Sequence, residues 1–200
     1  MTEKILFSDE KYFDIDGIYN KQNDRIYALT REEADRKGSM HCKTQHPVHV
    51  MVWLESCYQG VRRPVIIEKG TINAARYIEE ILPLALKDGK RLLGNDFISQ
   101  QDGASPHKNG KRSWCKQHFP DLWSYGHWPP NSSDLNPLDY CIWSERSEQT
   151  NWSRITNKQT LIHQIKQAVK ELRMEVVRRS MTSWTNRVYQ MLQREGEYVF

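Results

Sequence analysis

The apolar residues of this chain change their period twice, and that order restricts the fold more than any single residue does. Over residues 4–16 they alternate, with Ile5, Phe7, Phe13 and Ile15 on one side and Leu6 and Tyr12 on the other. A strand reads this way. After a polar break at 20–24, Arg25, Ile26, Tyr27 and Ala28 are predicted to return as its hairpin partner. Thr30-Arg31-Glu32-Glu33 is a capping-box pattern for a short helix ended by Gly38. Residues 48–57 form a long buried-type strand and 63–68 another, so a strand meander opens the fold. The period then alternates between helix and strand. Asn73 caps a helix to about Leu86, with Ile78, Ile81, Leu82 and Ala85 on one face and a kink at Pro83. A strand at 97–99, a helix from Ser105-Pro106 to His118 and a short strand at 122–125 follow. Asn136-Pro137 opens a helix to about Gln149. Beyond Asn157 the pattern is helical throughout: Leu161, Ile162, Ile165, Ala168, Val169 and Leu172, then Val177, Met181, Trp184, Val188 and Met191. This order implies an α/β fold, a mixed central sheet flanked by helices on both faces. Residues 1–150 are expected to form its body, with 151–200 a basic helical extension packed on it.

A chain of 200 residues with 38% hydrophobic content can bury roughly 70% of its unfolded surface in one domain. Its longest apolar run, Val50 to Leu54, is five residues against the roughly 20 of a membrane-spanning helix. Met1-Thr2-Glu3-Lys4 leads into no signal-peptide core, so no membrane association is expected. Cys42, Cys57, Cys115 and Cys141 form no Cys-x-x-Cys pair and are expected to be free, mostly buried thiols of a reducing compartment. The net charge of +4 is unevenly placed: residues 1–100 carry 15 basic and 15 acidic side chains, whereas 151–194 carry nine basic and two acidic. Such a stripe either binds a polyanion or solvates helix surfaces.

Three carboxylates stand where this fold can use them. Asp9 falls in line with the buried positions of the first strand, where an ionised carboxylate is costly unless paired or metal-bound; Lys11, two residues on, is a local partner. Asp102 ends a buried strand, at the carboxyl end where α/β sheets open a crevice, although Asp102-Gly103 is also an ordinary turn dipeptide. Asp139 stands third after Asn136, where an acid also suits a capping box. Asp134 is assigned to an Asx turn ahead of Pro137. Each acid has a local explanation, yet a first strand, the end of a later strand and the start of the next helix can converge on one crevice. Three carboxylates without a His or Cys cluster suit hard Mg²⁺ or Mn²⁺, and two such ions about 4 Å apart stabilise both oxygens of phosphodiester cleavage.

Phe7-Ser8-Asp9-Glu10-Lys11, Gln100-Gln101-Asp102-Gly103-Ala104 with His107, and Trp128-Pro129-Pro130 followed by Ser133-Asp134-Leu135-Asn136-Pro137-Leu138-Asp139-Tyr140 resemble the three signature blocks of mariner-type DDE transposases. Val50-Met51-Val52-Trp53 resembles the family's central strand, and the likeness runs in family order from about Leu6 to Trp143. It implies a ribonuclease-H-like catalytic domain in which Asp9, Asp102 and Asp139 hold two Mg²⁺ or Mn²⁺ ions as the catalytic triad. It also implies a DNA endonuclease and strand-transfer enzyme that acts in the nucleus on transposon ends and target DNA, as a homodimer or with a transposase partner. The chain departs from the family pattern in places. The 36 residues between Asp102 and Asp139 slightly exceed the spacing of the best-known members, Ser133 replaces a common proline, and Gly103 replaces a common asparagine. Only eight residues precede Asp9, where the family carries paired helix-turn-helix modules. The expectation is therefore a catalytic domain without its sequence reader; the alternative is a catalytically silent remnant that binds DNA or a transposase partner.

His107, Lys108, Trp128, Arg178 and Arg179 are the expected DNA contacts. Their structural alternatives are a helix-start hydrogen bond for His107, core packing for Trp128, and solvated helix surface for the arginines together with Lys166 and Lys170. The His41, Cys42, His46 and His49 group is assigned to chance proximity of loop and strand rather than to zinc.

Overall fold

The first strand finds its partner farther along the chain than the local pattern suggests. The computed structural model describes residues 2–17, 26–37, 44–68, 73–101, 108–123, 128–129 and 132–199, with backbone alone at 108–112. In it β1 (Ile5–Asp14) pairs antiparallel with β2 (His49–Cys57), from Phe7 opposite Ser56 to Asp14 opposite His49. Arg25 lies outside the described residues, and Ile26, Tyr27 and Ala28 form no strand, which corrects the predicted hairpin. Tyr27 is 84% and Leu29 97% exposed, so this short segment has nothing to bury against and cannot displace the nine-residue, mostly buried β2.

β3 (Gly60–Val61) and β4 (Val65–Ile67) both pair antiparallel with β2. On the other side of β1, β5 (Ile98–Gln100) and β6 (Asp121–Trp123) run parallel to it. The order is β3-β2-β1-β5-β6, with β4 also on β2. The sheet is mixed, as the order of periods implies, and β1 lies at its centre with neighbours of both kinds.

Helix α1 (Arg31–Arg36) is capped by Thr30, whose hydroxyl accepts from the Glu33 N–H, while Glu33 accepts from Leu29 rather than closing the box on Thr30. The Asn73 helix runs past Leu86: α2 (Ala74–Arg76), a π turn (Tyr77–Ile81) and α3 (Leu82–Leu93) are continuous, and Gly94 ends them at φ +87°. Pro83 lacks the N–H that a regular helix would use there, and the wide π turn just before it takes up the disruption. The remaining helices are α4 (Lys108–His118), α5 (Trp143–Gln149), α6 (Lys158–Lys170) and α7 (Met174–Gln193). Asn157 and Thr160 form a reciprocal capping box at the start of α6.

The alternation in β1 divides two cores. Phe7, Phe13, Val52 and Leu54 pack with Trp143, Leu161, Ile165, Val177, Met181 and Trp184 on the α5–α7 side. Leu6, Trp53 and Cys57 pack with Ile81, Leu82, Phe97, Cys115 and Phe119 on the α2–α4 side. Cys57 and Cys115 are buried free thiols and Cys141 is half-buried, while Cys42 lies outside the described residues.

Glu55 is the exception among the inward residues of β2. It is fully buried, with both carboxylate oxygens unpartnered among the described residues. Burial, and then the charge of Asp88, push its carboxyl up to about 8, against the pull of Arg62, which bridges Asp88 at 2.7 Å. A carboxyl raised on folding contributes stability that is intact below its ordinary value and is lost as pH rises through about 8. The urea midpoint should therefore fall between pH 6 and 9, and Glu55→Gln should flatten that fall. Identical pH profiles for the two proteins would show that Glu55 does not titrate in this range.

Candidate active site

The strand and the helix start that carry Asp9 and Asp139 are fastened together one residue away from Asp9. The Ser8 hydroxyl donates to the Gln100 carbonyl at 3.1 Å, tying β1 to the end of β5. The Ser8 carbonyl accepts from the Asn136 side-chain amide at 3.2 Å, and the Asn136 oxygen accepts from the Leu138 N–H at 3.0 Å. Asn136 thus caps the helix, as expected, and also docks it on β1. That helix opens as a π turn (Leu138–Ile142) and continues into α5. The two clamps join positions one residue before Asp9, two before Asp102 and three before Asp139.

Asp9 shares its strand face with Phe7, Lys11 and Phe13, and its carboxylate accepts from the Trp143 indole N–H at 2.6 Å. Burial, then repulsion from Asp139, push the Asp9 carboxyl up to about 8, and the Trp143 hydrogen bond opposes that rise. Burial lowers Lys11, while the negative charges of Asp139 and Asp9 raise it and Arg146 lowers it. The Lys11 amine lies 5.9 Å from the centre of the Trp143 ring. Arg146 is wholly buried, with its guanidinium 3.6 Å from the Phe13 ring centre and its nitrogens unpartnered among the described residues. Two half-buried carboxylates and an ammonium therefore lie close enough to feel one another's charge, beside the Trp143 ring. Among the described residues no three His, Cys, Asp or Glu side chains form a metal-holding group.

Asp102 and His107 lie outside the described residues, as does the Lys108 side chain, and so do His41 and Cys42. His46 and His49 are exposed, and the His49 ring packs edge-on to Tyr12 at 5.6 Å. Trp128 is a correction: it is only 7% exposed and packs edge-on against Phe7 at 6.4 Å. The core takes the ring because Phe7 and its neighbours offer apolar surface that a solvent-facing indole would forgo. Asp134 makes no Asx turn; it is buried and accepts from the Val199 N–H at 2.8 Å, while Arg187 donates to its carbonyl at 3.1 Å. Arg178 and Arg179 are both exposed but face apart, Arg178 towards the Tyr58 ring at 5.9 Å and Arg179 towards a groove beside Tyr140 and Cys141. Sequence reasoning missed Trp143 and Arg146 as neighbours of the site, although they stand four and seven residues after Asp139, on its helix face.

No protein-family model matches the chain. It is 28% identical over 198 residues to the Tcb1 transposase of Caenorhabditis briggsae, covering 96% of this chain and 68% of that one. It is 28% identical over 149 residues to the Tc1 transposase of Caenorhabditis elegans, covering 74% of this chain and 52% of that one. The mariner Mos1 paired end complex with Mg superposes with a TM-score of 0.80 at 20% identity, over 98% of this chain and 57% of that one. The catalytic domain of Mos1 mariner transposase superposes at 0.70 with 16% identity, over all of this chain and 85% of that one. In sequence and in fold, this chain is similar to mariner/Tc-type transposases and to the Mos1 catalytic domain. Its sheet, its flanking helices and its C-terminal helical region match the ribonuclease-H-like catalytic domain of Mos1. The chain spans about two thirds of Tcb1 and little more than half of Tc1 and of the Mos1 chain in the paired end complex.

Proposed function

We propose that this domain cuts DNA at a divalent-metal site held by Asp9, Asp102 and Asp139, and that it joins the cut end to target DNA in the nucleus, working with a second transposase copy. The observation that carries the reading is the approach of Asp9 and Asp139, two half-buried carboxylates that repel each other. Nothing in the packing of an ordinary core calls for that arrangement, and a hard cation suits an all-oxygen donor set. The Mos1 complexes with Mg and with Mn, and with transposon-end DNA, support both the cofactor and the substrate.

When bound, Mg²⁺ or Mn²⁺ supplies Lewis-acid polarisation of the phosphate and activation of the attacking water. The residues of the chain do the positioning. Trp143 holds one oxygen of Asp9 and fixes the plane of its carboxylate. Asn136 and Ser8 set the helix carrying Asp139 against β1, so that the carboxylates meet without a mobile loop between them. Lys11, drawn by both acids, places positive charge where a phosphate oxygen would enter. The folded domain should nick supercoiled plasmid with Mg²⁺ or Mn²⁺ and not with EDTA, leaving 3′-hydroxyl ends that a DNA polymerase extends. A folded domain that fails to nick with either ion, or leaves 3′-phosphate ends, would overturn the reading.

A further inference from the structure

Residues of α6 and α7 meet those of the β3–β4 edge of the sheet in a cavity of about 720 Å³. Its lining holds four cations, Arg62, Arg63, Lys166 and Lys170, and no acid; the floor is apolar, with Val61, Pro64, Val169 and Leu172 among its residues. A second cavity of about 450 Å³ shares Arg62, Arg63, Pro64 and Lys166 with it, so the two form one trench. That farther end adds Glu55, Glu68 and Asp88; Asp88 is already bridged by Arg62, and burial pushes the Glu55 carboxyl up to about 8. Arg63, Lys166 and Lys170 are exposed, and among the described residues none of them makes an ion pair. Lys166 and Lys170 lie one helical turn apart, about 6 Å along α6. Arg178, on α7 next to the lining residue Val177, faces the Tyr58 ring. Neither Asp9 nor Asp139 lines either cavity.

We propose that this trench seats the phosphate backbone of duplex DNA at a second place, away from the carboxylate pocket; the proposal rests on the reading of DNA as substrate and extends it. Long, exposed cations strung along an elongated groove match a line of phosphates. A compact anion is bound instead by donors that converge and are held in place, and here Arg62 alone is held. The apolar floor can take the sugar faces of a strand. The nine-to-two charge excess of residues 151–194 thereby divides, with the lysines of α6 joining arginines of the β3–β4 connection on one surface and Arg179 facing another.

The test is duplex binding by the full chain in EDTA, followed by fluorescence anisotropy across a salt series. The variant Arg63→Ala/Lys166→Ala/Lys170→Ala should lose at least about tenfold in affinity at low salt, and its log-log salt slope should be shallower by about 2 to 3, at about 0.9 per lost contact. A control variant, Lys90→Ala/Lys116→Ala, removes exposed cations that line neither cavity and should bind like the parent. Equal losses in both variants, an unchanged slope in the first, or no binding by the parent would overturn the proposal. So would displacement of DNA by inorganic phosphate beyond that of chloride at matched ionic strength, which would mark a compact-anion site. Plasmid nicking separates the two readings: a groove-dependent slope without nicking removes the nuclease and leaves the trench, and metal-dependent nicking with an unchanged slope does the reverse.

Discussion

Asp9→Asn should abolish metal-dependent nicking while making the metal-free domain more stable at neutral pH. Loss of one carboxylate from a site that must hold a divalent cation should lower the rate by about 10³-fold or more, roughly 4 kcal/mol of transition-state stabilisation. The stability gain has a separate origin. The Asp9 carboxyl rises from its ordinary 3.8 to about 8 on folding, because burial and Asp139 both disfavour its charge. Stability from such a group is intact below its ordinary value and is lost as pH rises through about 8. Asparagine keeps an oxygen to accept from Trp143 but has no charge to suppress, so at pH 7 the variant should gain on the order of 2 kcal/mol. Mn²⁺ should raise the melting temperature of the parent and shift the variant much less. A variant that nicks normally, or that melts below the metal-free parent with an unshifted pH profile, would remove Asp9 from the site. Asp139→Asn should likewise abolish nicking and, by removing the charge that helps raise it, lower the Asp9 carboxyl.

Gly89→Ala should destabilise the domain by about 2 to 3 kcal/mol, although alanine in a helix interior is ordinarily favoured over glycine by about 0.5–1 kcal/mol. A Cβ at position 89 would lie 2.3 Å from Cζ of Phe97 and 2.4 Å from Cε2 of the same ring. Phe97 is fully buried just before β5 and is packed edge-on against Phe119 at 5.9 Å, so the ring cannot simply swing away. The close approach sets how near α3 lies to the sheet. Phe97→Leu, a smaller side chain, should restore part of the loss when combined with Gly89→Ala, and a double-mutant cycle in urea measures the coupling. Additive effects, or a stabilising Gly89→Ala, would show that the ring adjusts freely.

The elements that were legible in the sequence are those whose periodicity is long or whose caps are local. The two-sided pattern of β1, the run that became β2 and the period of α6 and α7 each bury a continuous face, so pattern and packing agree. Thr30 and Asn73 cap the helices that their sequence positions assign to them, because a capping hydrogen bond spans three residues and needs no tertiary partner. The 25–28 hairpin failed for the opposite reason. Three apolar or half-apolar residues suffice for a local signal, but a strand needs surface to bury, and β2 offered β1 far more. Trp128 failed similarly: two following prolines say that the chain is extended there, and say nothing of which way an indole turns.

Within the site, sequence alone determined which acids stand at strand and helix positions from which they can meet, and that Lys11 is a local partner of Asp9; Trp143 and Arg146, missed in the sequence, follow Asp139 at helical spacing. Whether those faces meet was decided by tertiary structure alone, through Ser8 bonding across to Gln100 and Asn136 over separations of 92 and 128 residues. The same holds for charge. A carboxylate's composition and neighbours in sequence do not set its proton affinity; the low dielectric around Asp9 and the approach of Asp139 do, and both exist only once α5 has packed on the sheet. The division of the C-terminal basic stripe into two surfaces was likewise invisible in the count of lysines and arginines, because Arg178 and Arg179, adjacent in the chain, leave a helix about 100° apart.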